Sequence, residues 1–149
     1  MAVPDTLVAY WSEHRTQLRQ SESQRAVLTN YVLAVAAAIS GLVVQQRFRA
    51  QTLPLSVLVV LIGLYGALAA AKYHERATYH LGQARALTRA LVQSGDLPDN
   101  TALLDQSRDE HARAYPRLYR VRLHWLWTGL HLGVAAYGLV LVILTVTVR

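Results

Sequence analysis

Cysteine is absent from the 149 residues of this chain, and only nine residues are acidic. Without cysteine the protein can form neither disulfide bonds nor thiolate active sites. All nine acids lie within residues 1–25 and 72–122, which leaves the apolar remainder of the chain without a carboxylate. Intramembrane aspartyl hydrolases and ion-coupled transporters depend on carboxylates at membrane depth, so the sequence argues against both classes.

Motifs that mark enzyme active sites are missing as well. The sequence has no P-loop, no glycine-rich phosphate-binding loop and no GxSxG pentapeptide. His74 and Glu75 begin like an HExxH zinc motif, but His80 comes six residues after His74 and leaves that helix face. We therefore predict a protein that is not an enzyme and that holds neither a metal nor a cofactor.

Formal charge is missing from three long stretches, residues 26–46, 50–71 and 123–148, of 21, 22 and 26 residues. A helix of about 20 apolar residues crosses a bilayer core of about 30 Å. The sequence therefore predicts an all-α membrane protein, a single domain over residues 1–149, with these stretches as its three transmembrane helices.

The distribution of basic residues predicts the orientation of these helices. Twelve of the 15 basic residues lie in residues 1–25 and 72–122, and the other three are Arg47, Arg49 and Arg149. Because Lys and Arg gather on the cytoplasmic side of membrane proteins, we expect the N-terminus in the cytoplasm and the C-terminus outside. Residues 1–25 contain no apolar core of their own, so no cleaved signal peptide is expected.

Residues 5–25 form a predicted cytosolic helix that leads into the first crossing. One face of this segment carries apolar bulk, namely Leu7, Tyr10, Trp11, His14 and Leu18. No helix breaker separates the segment from the apolar stretch that follows it. One helix is therefore predicted from about residue 6 to about residue 45.

Residues 72–122 form a predicted cytosolic helical hairpin, packed with the N-terminal helix. Its first arm continues the second crossing, and residues 94–100, which include Gly95 and Pro98, predict a turn. The second arm, residues 101–122, is expected to lead into the third crossing as one helix that is bent at Pro116. Two of the three transmembrane helices would thus extend into the cytosol.

Basic and aromatic residues concentrate on both arms close to the expected inner membrane surface. Arg113, Arg117 and Arg120 recur at i, i+4 and i+7, so we expect them to share one face of the second arm. Such a mixture suits an anionic ligand, since basic groups neutralise phosphates and aromatic rings stack on bases. Anionic lipids are the alternative partner. The candidate ligand-binding residues are Lys72, Arg76, Tyr79, Arg113, Arg117, Tyr119 and Arg120.

Small and polar residues recur at helical spacing inside the three apolar stretches. Such faces let membrane helices pack closely, within one chain or between copies, or they line a pore. Three crossings cannot enclose a conduction path, so a pore would require an oligomer. An ionisable histidine at this depth is either functional or neutral and hydrogen-bonded across helices. The candidate pore or packing residues are Asn30, Gly41, Gln45, Gly129, His131 and Gly133.

Few crossings, no catalytic motif and long cytosolic helices together resemble the small membrane effectors of bacterial anti-phage systems. The plan is similar to that of SLATT-type effectors and, more closely, to the membrane component of the two-gene Hailong systems. The resemblance is one of architecture over the whole chain, and it assigns no role to any residue.

What the resemblance implies is a channel in the bacterial plasma (inner) membrane that depolarises the infected cell when it opens. The channel would be a homo-oligomer, a tetramer by analogy. Its ligand would be a nucleotide or a single-stranded DNA oligomer, made by a nucleotidyltransferase encoded nearby. A different class of function also fits the sequence, namely a non-conducting scaffold or accessory subunit whose basic arms bind anionic lipid.

Overall fold

The computed structural model describes residues 5–148, and every regular element in that range is helical. Three of the helices are long and apolar enough to cross a membrane, which confirms the predicted fold class at this level. The helices are α1 (Asp5–Gln45), α2 (Leu53–Gln93), α3 (Thr101–Ala114) and α4 (Leu123–Thr147), with 3-10 turns at Ala50–Thr52 and Leu118–Arg120.

Helices α1 and α2 each run for 41 residues without a break. The prediction of one helix from about residue 6 to about residue 45 is confirmed by α1. The predicted continuation of the second apolar stretch is confirmed by α2. Pro54 lies in the first turn of α2, where its missing N–H removes no helical hydrogen bond.

The second arm of the predicted hairpin is not one helix, and this prediction was wrong. Helix α3 ends at Ala114, and Tyr115 adopts φ −128° and ψ 57°, outside the helical region. Pro116 explains the break, because its ring disfavours the helical conformation for the residue before it. Helix α4 therefore begins afresh at Leu123, and the apolar helices that continue into polar sequence are α1 and α2.

The described chain divides into two compact units, which we call the polar unit (residues 5–21 and 75–123) and the apolar unit (residues 22–74 and 124–148). In the apolar unit, α1, α2 and α4 share a core that centres on Val43, Val59 and Leu141, each at most 2% exposed. Ala36 and Ile39 of α1 complete the core cluster.

Glycines bring α2 and α4 close together in the apolar unit. A Cβ built on Gly63 would collide with the backbone of Ala135, and one built on Gly138 would lie 2.7 Å from the backbone nitrogen of Val60. Membrane helices without a hydrophobic force between them rely on this kind of close backbone approach. Gly63 and Gly138 are thus the packing glycines of this pair of helices.

The connection between α1 and α2 contains two residues in the left-handed region, Arg47 (φ 53°) and Phe48 (φ 55°). The Arg47 N–H donates to the Val44 carbonyl at 2.9 Å, and the Phe48 N–H donates to the Val43 carbonyl at 3.2 Å. These bonds satisfy carbonyls that the helix end leaves free. The turn also places the partly buried Phe48 ring against the core of the apolar unit.

In the polar unit, α1 and α2 pack antiparallel along a narrow seam. Ala77, Ala84 and Leu91 are the buried residues of α2, spaced seven residues apart. This heptad spacing is typical of two helices that pack side by side. Across the seam, Trp11 Nε1–H donates to Thr88 Oγ1 at 3.0 Å.

Helix α3 buries none of its residues. Leu103 and Leu104 remain 66% and 62% exposed. The helix start is fixed locally, because the Thr101 N–H and hydroxyl both donate to Asp99 Oδ1. These hydrogen bonds, first the one from the side chain and then the one from the backbone, lower the pKa of the Asp99 carboxyl.

We expect Gly63→Ala to destabilise the apolar unit, because its new methyl group would overlap the Ala135 backbone. Overpacking of this kind costs about 1–3 kcal/mol. Gly82→Ala is the matched control on the same helix, since nothing lies within 4 Å of a Cβ at that position. Thermal unfolding in detergent measures the stability of both variants. Equal melting temperatures for the two variants would contradict the close contact of α2 with α4.

Candidate functional site

The predicted anion-binding residues are distributed over both units. Lys72 belongs to the apolar unit, and the other six belong to the polar unit. Arg76 donates to Gln17 Oε1 of α1 at 3.2 Å, and the Tyr79 ring lies 5.3 Å from the ring of its neighbour His80. Arg113 Nε–H donates to the Asp109 carbonyl of its own helix at 3.3 Å.

Arg113, Arg117 and Arg120 do not share a helix face, because α3 ends at Ala114. All three are exposed, but Arg113 lies in the last turn of α3, Arg117 lies in the connection after it, and Arg120 ends the 3-10 turn. Residues 111–122 contain four arginines and no acid. We call residues 111–122 the basic strip, and its four arginines are exposed.

Aromatic rings gather beside this basic strip. The His111 ring lies 5.1 Å from the Tyr115 ring and 6.2 Å from the Tyr119 ring, centroid to centroid. The sequence analysis named Tyr119 but left out His111. Its spacing of four residues from Tyr115 was the signal that would have found it. Tyr119 therefore belongs to a group of three aromatic rings, with His111 and Tyr115, within the same segment as the arginines.

A histidine pair that the sequence analysis did not identify joins α1 to α2 in the polar unit. His14 Nδ1 lies 3.1 Å from His80 Nδ1. One proton between the two nitrogens makes this a hydrogen bond, whereas two protonated rings would repel each other. The pKa of His80 is lowered, first by burial, then by His14 and Arg76, and Glu13 opposes the shift.

His131 lies fully buried in the apolar unit, between α1 and α2. Its Nε2 is 3.1 Å from Thr29 Oγ1, and its ring fills the space that a side chain at Gly66 would need. The Thr29 hydroxyl donates to the Arg25 carbonyl at 2.9 Å. Since that hydroxyl has one hydrogen, it accepts from His131 Nε2–H, which leaves Nδ1 as an acceptor. No described residue pairs with that Nδ1.

The apolar unit has two stripes of small and polar residues, one of them buried and the other exposed. The stripe on α2, with Ser56, Gly63, Ala67 and Ala70, is buried against the chain's own helices. The stripe on α1 is exposed along its whole length, and we call it the outer α1 stripe. It comprises Asn30, Ala34, Ala37, Gly41 and Gln45.

The predicted glycine pair of α4 also faces outward. Nothing lies within 4 Å of a Cβ built on Gly129, Gly133 or Gly41. These three glycines therefore make no packing contact within the chain. Gly133 instead lines an open groove of about 470 Å³ between α1 and α4, together with Ala37, Ser40 and Tyr137.

No group of three or more His, Asp or Glu side chains within residues 5–148 is arranged to hold a metal ion. The chain matches no protein-family model, no curated protein and no solved structure.

We expect the polar unit to lose stability as the pH falls. His80 has a lowered pKa in the folded protein, so the unfolded chain binds more protons, and stability falls with decreasing pH below about 6.5. Thermal unfolding between about pH 7.5 and about pH 5 measures this.

His80→Gln should flatten the pH dependence, because glutamine does not titrate in this range. His111→Gln is the matched control, since His111 lies on the exposed helix α3. A pH dependence that His80→Gln leaves intact would show that other groups cause it.

Proposed function

We propose that this protein crosses the bacterial plasma membrane three times and assembles with copies of itself into a channel, with α1 facing its centre. The outer α1 stripe is the observation that carries the proposal. It puts the amides of Asn30 and Gln45 on a surface that the chain's own helices leave uncovered, within or beside an apolar stretch.

Lipid is a poor environment for this stripe. Polar side chains in a membrane face the interior of a bundle or a water-filled cavity, because hydrocarbon offers them no hydrogen-bond partner. Asn30 and Gln45 lie near opposite ends of the stripe, so both ends of the same face are polar. Both helices expose large apolar residues, such as Leu42 of α1 and Leu64 of α2, but only α1 also exposes a stripe of small and polar residues beside them. This contrast makes α2 the better lipid-facing helix and α1 the better assembly face.

The open groove between α1 and α4 supports contact with a second copy. Its small residues allow another helix to approach closely, as membrane helices do at small-residue faces. Three helices are too few to enclose a water-filled path, so a ring of copies would form it. A tetramer is favoured by analogy with the anti-phage effectors that the chain resembles.

The polar unit supplies a place for control by an anionic ligand. The arginines of residues 111–122 are exposed, and aromatic rings lie beside them. A nucleotide or a single-stranded DNA oligomer combines the phosphates and bases that such a surface binds. The role in anti-phage defence, and a nucleotidyltransferase as the source of the ligand, rest on the architectural resemblance.

A non-conducting scaffold is the second candidate, and the groove beside Gly133 favours it. If the outer α1 stripe and the groove pack fully against another copy, the amides would pair between chains and no water path would form. Both candidates predict an oligomer, and ion flux separates them.

We expect Ala37→Trp to break up the oligomer, because its indole would occupy both the outer α1 stripe and the groove. Leu64→Trp is the matched control, at a position 49% exposed on the apolar face of α2. Cross-linking in membranes measures assembly, and dye-release or ion-flux assays in liposomes measure conduction. The channel is contradicted if wild-type oligomers never pass ions, with or without oligonucleotides.

A replacement of Arg117 and Arg120 by Ala should weaken the binding of short single-stranded DNA in detergent. Wild-type affinity should fall steeply with salt, because each neutralised phosphate releases counterions. Arg19→Ala is the control, at an exposed arginine of α1. Binding that is absent, or that both changes weaken equally, would speak against a nucleic-acid site in this strip.

A further inference from the structure

Arg25 is a buried cation without a carboxylate partner among residues 5–148. It is 7% exposed, and its Nε is fully buried with no hydrogen-bond partner among the described residues. The apolar unit contains one acid, Glu22, which is exposed and forms no ion pair with Arg25. A buried charge that lacks a partner is costly, so such a residue calls for an anion from outside the chain.

Trp127 of α4 covers this arginine and adds a second unused donor. The Arg25 guanidinium carbon lies 5.1 Å from the Trp127 ring centroid, which is cation–π distance. The indole Nε1–H is also buried without a partner. Two N–H donors from facing helices are thus neighbours, and neither has an acceptor among the described residues.

The other polar contacts between α1 and α4 do not use these donors. One turn along each helix, Thr29 pairs with His131, and the Thr29 hydroxyl bonds to the Arg25 carbonyl rather than to its side chain. Nε is the one Arg25 side-chain nitrogen that is both fully buried and without a hydrogen-bond partner among the described residues. A ligand that approaches from the protein surface can therefore reach the end of the guanidinium.

The position of Arg25 in the sequence indicates where that ligand lies. Arg25 directly precedes the first uncharged stretch, and Trp127 lies near the start of the third. In the proposed orientation both residues lie at the inner headgroup level, where lipid phosphates are the most abundant anions. Guanidinium groups also match phosphate geometry through several donors at once.

We propose that Arg25 and Trp127 form a phosphate-binding site between α1 and α4, which holds the headgroup phosphate of an inner-leaflet anionic lipid. Free phosphate offers the same chemistry, and the experiment separates the two sources. The site is distinct from the basic strip of residues 111–122. It depends on membrane insertion but not on assembly or conduction, so a protein that passes no ions could still have it.

Thermal unfolding of the purified full chain in detergent tests the site. The additions are dioleoyl phosphatidylglycerol, dioleoylglycerol (the same acyl chains without phosphate) and inorganic phosphate. We expect phosphatidylglycerol to raise the melting temperature and dioleoylglycerol to leave it unchanged, because only the first carries a phosphate for Arg25. A response to inorganic phosphate alone would overturn the lipid as the occupant, and no response to either phosphate would overturn the site.

Variants identify the donors. Arg25→Gln should weaken the apparent affinity for phosphatidylglycerol about tenfold, because it removes a charge-assisted hydrogen bond. Arg25→Lys should restore part of it, since lysine keeps the charge but not the guanidinium. Trp127→Phe keeps an aromatic ring at this position but loses the indole N–H and part of the ring area. This variant should still fold, and it should bind phosphatidylglycerol more weakly than the wild type.

Arg19→Gln is the matched control, at an exposed arginine of α1, the helix that carries Arg25. It should change the affinity less than about twofold, because exposed charges in water contribute little. Equal losses in Arg19→Gln and Arg25→Gln would mean general attraction to an anionic surface and would overturn a built site. An affinity unchanged in both Arg25→Gln and Trp127→Phe would overturn it as well.

Discussion

The requirement that polar groups find partners in an apolar surrounding controls this structure. In hydrocarbon no water is present to pair with a free donor or acceptor, so a polar residue in the apolar unit requires a partner within the chain or outside it. Ser56 and Thr145 pair across α2 and α4, at 3.2 Å between their hydroxyl oxygens, and Thr29 pairs with His131. Asn30, Gln45, Arg25 and Trp127 have no such partners among the described residues. The proposals of assembly and of lipid binding both arise from these unpaired groups.

Small residues make the pairing possible and divide the helix surfaces between two tasks. Where Gly63 and Gly138 let α2 and α4 approach, the hydroxyls of Ser56 and Thr145 come within hydrogen-bond distance. Where Gly41, Gly129 and Gly133 have open space around them, the same kind of residue leaves a surface free for another helix. In the polar unit, water satisfies exposed groups, so a narrow seam of alanine, leucine and one histidine pair holds α1 to α2.

Much of the fold was predictable because its signals are local. Runs of apolar residues and the absence of breakers predicted α1 and α2 with ends close to those observed, and Gly95 and Pro98 predicted the turn after α2. The second arm was predicted wrongly because helix-forming residues on both sides of Pro116 outweighed the restriction that proline places on Tyr115. Because α3 ends at Ala114, the helix face predicted for Arg113, Arg117 and Arg120 does not exist.

The sequence by itself determined that the chain is helical, that three of its segments can cross a membrane, and which residues are charged. These properties follow from composition and periodicity along the chain. Only the tertiary structure decided which glycines pack, which small-residue stripe faces outward, and that Arg25 lies against Trp127 without a carboxylate. The helical period shows which residues share a face. Whether that face is buried depends on a neighbouring helix that is distant in the sequence. The candidate sites depend on that second kind of information.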